Sequence, residues 1–111
     1  MEDFTYLEDL LDQLPEVPPD SIVSRTFFTN QGIKAILFGF APGQELSEHT
    51  SAQPAVIHIL KGQAQLTLGG ESFEAGEGAW AYMPPRLPHS VVASTPLSML
   101  LLMFTAPQDS A

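Results

Sequence analysis

The chain is predicted to be all-β, a barrel or sandwich preceded by one short N-terminal helix. Three observations carry this. After residue 21, short runs of β-branched, aromatic and aliphatic residues recur at close spacing. Glycine and proline, 8 and 10 of the 111 residues, fall between those runs and not inside them for the most part. Helical periodicity is confined to one stretch near the N-terminus. Many short strands with Gly/Pro turns mark an all-β domain.

In FTYLEDLLDQLP, residues Phe4, Leu7, Leu10, Leu11 and Leu14 recur at three- and four-residue spacing, which predicts a short helix. Thr5 and Glu8 fit a capping box, and the early acids suit the positive end of a helix dipole. Pro15 ends the helix, and Pro18-Pro19 makes an extended linker. About eleven residues are too few for a helix stable on its own, so this one is expected to pack across the barrel or a neighbouring subunit.

The strands follow. IVSRTFFT, residues 22–29, is β-branched and aromatic. Asn30-Gln31-Gly32 is a hairpin loop in which Gly32 can take positive φ. IKAILFGF, residues 33–40, is apolar on both parities, so both of its faces should be covered. Pro42-Gly43 suits a type II turn. LSEHTS, AVIHILK and AQLTL are further strands, the last with alternating Ala64, Leu66 and Leu68 and one wet face. Gly69-Gly70 and Ala75–Gly78 are turns, AWAYM runs into Pro84-Pro85, and SVVAS and LSMLLLMF complete the set. The organisation is an acidic helix and linker over 1–21, a barrel over 22–105 and a frayed tail over 106–111.

The formal net charge is -9, and seven of the thirteen acids lie in the first twenty residues. Such a balance argues against nucleic acid and against anionic membrane surfaces as partners. No cysteine is present, which removes disulfides, thiolate zinc sites and thiol catalysis. The apolar run PLSMLLLMF is far short of the roughly 20 residues a membrane helix needs, and the acidic N-terminus lacks a signal peptide's basic region. A cytoplasmic protein is expected.

Two histidine-bearing stretches carry the chemistry. Gly43 is followed by five residues and His49, and Gly62 closes the stretch; Gly78 is followed by five residues and Pro84, with His89 five residues on. From about Phe38 to Phe104 these spacings resemble the two motifs of the cupin superfamily. The resemblance implies a double-stranded β-helix, the cupin or jelly-roll barrel, frequently dimeric. It departs at four positions. Ser51 replaces a second histidine, Ala55 a glutamate, Arg86 a glycine and Ala93 an asparagine. In metal-binding cupins the lost His and Glu are ligands together with the two kept histidines.

The resemblance therefore implies that His49 and His89 share a pocket and could hold one divalent transition metal (Fe, Mn, Ni, Cu or Zn), or that the pocket is metal-free. Catalytic metal sites generally use three protein ligands. Glu45 shares strand parity with His49 but lies four residues away, about 13 Å along a regular strand. His58 shares parity with neither Ala55 nor Ile57 and should face outward. The expected pocket comprises His49, Ser51, Gln53, Ala55, Met83, His89 and Phe104, with Phe40 a further lining candidate. Arg86 reads either as an anion anchor at the pocket mouth or as a surface residue. Trp80 and Tyr82 read as core or interface.

Two functions follow. One is a small-molecule binding module in which the histidines hydrogen-bond the ligand. The other is a metal-dependent enzyme of dioxygenase or isomerase type. No carboxylate is well placed as a general base, so no catalytic residue is assigned. The doubly apolar strands 33–40 and 97–104 suggest a covered outer sheet and hence a homodimer.

Overall fold

The computed structural model describes residues 4–105; the tail expected to fray lies outside the described residues. One turn of 3-10 helix, Leu10–Gln13, precedes nine strands. These are β1 Ile22–Thr29, β2 Lys34–Phe40, β3 Glu45–His49, β4 Ala55–Lys61, β5 Ala64–Leu68, β6 Glu71–Ala75, β7 Trp80–Met83, β8 His89–Ala93 and β9 Leu97–Met103. They form two sheets, one ordered β1-β2-β9-β4-β7 and one ordered β3-β8-β5-β6. All pairings are antiparallel. From β2 to β5 and from β6 to β9 each strand lies in the sheet opposite its predecessor, which is the winding of a double-stranded β-helix.

The two inner faces meet in one core. Ala55, Ile57 and Ile59 of β4 face inward with Leu97 and Met99 of β9 and pack on Leu66 of β5 and Val91 of β8. Ile59 is fully buried and Ile57 nearly so, and each such aliphatic side chain contributes about 1.5–3 kcal/mol by leaving water. Gly62 closes the tight link from β4 to β5. Its φ is +88°, and a Cβ there would stand 2.0 Å from the Pro96 carbonyl oxygen. Only glycine fits such a close backbone approach.

The N-terminal segment departs from the expected helix. Asp9, not Thr5, takes the cap, its side chain accepting the Leu11 N–H at 3.2 Å, and the helix is a single 3-10 turn ending at Leu14. Phe4 and Tyr6 are exposed. The leucine spacing serves another purpose, because Leu14 and Val17 lie flat on the outer face of β2. A Cβ on Gly39 would meet Val17 Cγ2 at 2.5 Å and Leu14 Cδ2 at 3.0 Å. This intrachain cover explains why β2 is apolar on both parities: Leu37 is fully buried on its outer side while Phe40 is buried on its inner side. The β1–β2 loop is closed by Asn30, whose Oδ1 accepts the Gly32 N–H at 3.0 Å. Gly32 keeps a negative φ, unlike Gly43 at +84° in the turn after Pro42.

Candidate functional site

The site is made by an irregularity in β3. Leu46 of β3 opposes Val91 of β8, and an unbroken ladder would then set Glu48 opposite His89. A bulge between Leu46 and His49 brings His49 opposite His89 instead. A bulge adds one residue to one strand and reverses facing beyond it. Leu46 and His49 thus both face inward, while Glu45 opposes outward-facing Val92. Glu45 does not share the face of His49, contrary to simple parity, and facing as well as distance removes it from the pocket.

The two rings lie with centroids 4.2 Å apart and planes at 59°. His89 is 8% exposed; His49 is exposed at the barrel mouth. Both rings are anchored in the same way. His49 Nδ1 stands 2.8 Å from the Ser47 carbonyl oxygen and His89 Nδ1 2.9 Å from the Leu87 carbonyl oxygen. A carbonyl oxygen can only accept, so each Nδ1 carries a proton and donates it. In the neutral rings that leaves both Nε2 atoms as lone-pair acceptors. No fully buried side-chain nitrogen or oxygen among the described residues lacks a partner, so His89 Nε2 is not sealed away but opens onto accessible space.

That space is a cavity of about 160 Å³, lined by His49, Ser51, Gln53, Ala55, Met83, Pro84, Leu87, His89, Leu101 and Met103. Six of the seven residues expected in the pocket are therefore brought together. Phe104 is not. It has left β9, where its N–H donates to the Pro54 carbonyl oxygen at 3.0 Å, and Met103 takes the inward place opposite Ala55. Phe40 is buried in the core and lines a cleft at the other end with Pro42 and Pro96. His58 opposes Trp80 and Leu100 on the outer face. Pro84, read from the sequence only as a motif position, and Leu87, Leu101 and Met103 also line the cavity. Leu101 and Met103 sit in a run apolar at every position, which gives no facing signal.

Ser51 Oγ accepts the Gln53 N–H at 3.2 Å, which folds the loop after β3 over the cavity. The Ser51 carbonyl oxygen accepts the Arg86 N–H at 2.7 Å and ties this loop to the one before β8. Arg86 is exposed and held at φ +67°, in the region where the family pattern has glycine. No carboxylate lines the cavity, and no group of three or more His, Cys, Asp or Glu able to hold a metal exists among the described residues. The donor set is two imidazoles with neutral oxygens from Ser51 and Gln53. That set does not fit a resident catalytic metal, which takes three strong protein ligands.

The family model described as the cupin domain matches residues 36–104. The chain belongs to the cupin family. An uncharacterized protein of Methanocaldococcus jannaschii is 33% identical to this cupin over 57 residues, 50% of this chain and 45% of its own. An uncharacterized protein of Aquifex aeolicus is 30% identical over 70 residues, 63% of this chain and 58% of its own. The match thus spans about half the length of these relatives. Among solved structures, a conserved protein of unknown function from Streptococcus pyogenes superposes with a TM-score of 0.80 at 28% identity, covering 98% of this chain and 93% of that one. A cupin superfamily protein from Desulfitobacterium hafniense gives 0.79 at 21% identity, over 86% and 88%. That second likeness shows the fold alone. No helix among the described residues is long and apolar enough to cross a membrane.

Proposed function

We propose that this cupin binds a small molecule bearing hydrogen-bond donors, held in the barrel by Nε2 of His49 and His89, with no metal needed. The observation that carries the reading is the anchoring of both Nδ1 atoms on backbone carbonyls. It fixes the tautomers and presents two acceptors side by side without cost at the moment of binding. Met83, Leu101 and Met103 supply an apolar wall behind them. A compact ligand with donors on one edge and an apolar back suits that lining. The second reading, a metal-dependent enzyme of dioxygenase or isomerase type, needs a third donor; Gln53 is the cavity residue able to offer an amide oxygen.

The test uses EDTA-treated protein and the small diphenols catechol and resorcinol against their methyl ethers. Binding is read from the histidine Hε1 resonances. The diphenols should bind and the ethers should not. His49→Ala and His89→Ala should each weaken binding about two- to tenfold, one hydrogen bond's worth. Equal binding of the ethers would overturn the reading. Stoichiometric Fe, Mn, Ni, Cu or Zn in untagged protein, lost in His49→Ala, would replace it with the metal-dependent one.

A further inference from the structure

A second cavity shares no residue with the first. It lies where β6, the edge of the four-stranded sheet, and β7, the edge of the five-stranded sheet, leave the sandwich unclosed. Its volume is about 400 Å³, within the range of about 300–1,000 Å³ usual for small-molecule sites. The floor is apolar, formed by Ile57, Leu66 and Leu68. Alanines at 75, 79 and 81 line it, and these small side chains are what leave the room.

The rim differs in chemistry from the floor. Phe73 and Trp80 both line the cleft, yet Phe73 is 47% and Trp80 62% exposed. Two large aromatics are thus held partly in water beside an apolar hollow. Glu74 is the charged residue lining the cleft, and no Lys, Arg or His lines it. Glu71 and Glu77 flank it in sequence and are exposed. With Glu74 in the lining, Glu71 and Glu77 beside it and no basic side chain lining the cleft, the local field draws cations to this surface and repels anions. Aromatic faces attract organic cations through their quadrupole, and a carboxylate adds a direct partner.

We infer that this cleft is a binding site for an organic ammonium ion with an apolar body. The body occupies the hollow above Ala79 and Ala81. The charged end lies at the rim between the aromatic side chains and Glu74. The site is separate from the histidine cavity and does not depend on its occupant.

Trp80 is the only tryptophan in the chain, so its emission reports on this rim without labelling. The probes are phenethylammonium and 2-phenylethanol, which differ chiefly in charge, at neutral pH and low salt. The ammonium should change Trp80 emission saturably, with affinity about two- to fivefold or more above the alcohol. Glu74→Gln, an exposed change that leaves the fold intact, should remove most of that difference and spare the alcohol. Added salt should act as Glu74→Gln does. Ala81→Leu, checked for folding by circular dichroism, should block both probes, and His49→Ala should leave both unchanged. The inference is overturned by equal affinity for the two probes, or by a Glu74→Gln variant indistinguishable from wild type. It is overturned also if Trp80 emission follows protein concentration and ignores both probes, which would make a second copy of the chain the occupant.

Discussion

Restoring the two absent ligand positions should convert the histidine cavity into a metal site. Ser51 and Ala55 line the same cavity as His49 and His89, so Ser51→His with Ala55→Glu brings three imidazoles and a carboxylate to one space. The cost can be worked from the structure. Ala55 is 4% exposed, and its register neighbours are Met83 and Met103. Without metal, a carboxylate placed there is buried against thioethers and beside neutral imidazoles that offer it no positive charge, at about 3–5 kcal/mol. For a domain of this size about 4–8 °C is lost per kcal/mol, so the metal-free variant should melt roughly 15–25 °C below wild type. Metal at about a thousandfold over its Kd returns about 4 kcal/mol and most of that loss. Wild type, with two imidazoles, should have a much higher Kd, so that the same metal concentration only about reaches it and returns about 0.4 kcal/mol. Thermal melts in EDTA and in excess Co²⁺ measure both numbers, and Co²⁺ absorption reports the coordination. If the variant gains no more from metal than wild type does, or keeps its gain after His89→Ala, the four positions do not converge as described and the reasoning fails.

Three further outcomes are expected. Gly62→Ala forces an L-residue to φ +88° with its Cβ 2.0 Å from the Pro96 oxygen; it should cost at least ~2 kcal/mol, and a loss below ~1 kcal/mol in urea melts would show that the link relaxes. Arg86→Gly removes a side chain held at φ +67°; relief of about 1–2 kcal/mol, less the extra entropy of glycine in the unfolded chain, leaves a net gain near ~0.5–1 kcal/mol, and a destabilised variant would contradict this. A homodimer is proposed through the outer face of β4, β7 and β9, where Tyr82 is 52% exposed opposite Val56. Tyr82→Glu should then yield a monomer in sedimentation equilibrium, and wild type that stays monomeric at its highest soluble concentration refutes the dimer.

Much of the barrel was legible because its turns are chemically explicit. β1, β4 and β5 begin and end where Asn30, Pro54, Gly62 and Gly69 dictate. β6 was not read as a strand. Four of its five residues, in ESFEA, are exposed at the sheet edge, and an edge strand with one wet side shows little hydrophobic pattern. The leucine spacing overstates the N-terminal helix, because leucines three and four apart satisfy a helix and also a segment lying flat on a sheet. The same flat segment weakens one ground for a dimer, since it supplies from within the chain the cover that β2 requires. At the site, spacing pairs the two histidines that the structure sets side by side, but parity does not survive the bulge in β3. One extra residue reversed the facing of Glu45 relative to His49. Parity failed differently in β9: Phe104 and Met103 are equally apolar, and only the pairing of Met103 with Ala55 says which one faces the cavity.

The losses at Ser51 and Ala55 also have a gain attached. A histidine and a glutamate at those positions would take up much of a cavity of about 160 Å³, and a metal with its water would take the rest. Serine and alanine leave that volume to a ligand. They also leave the lining with no carboxylate to repel or to be neutralised, and with two fixed imidazole acceptors whose Nδ1 protons are already committed to backbone carbonyls. Such anchoring is what a metal-ligating histidine also needs, so the proposed hydrogen bonding asks for no change in the framework that the metal-binding pattern uses. On the proposed function, the substitutions that take away a metal's ligands are the ones that make room for a molecule, with the two histidines as its hydrogen-bond acceptors.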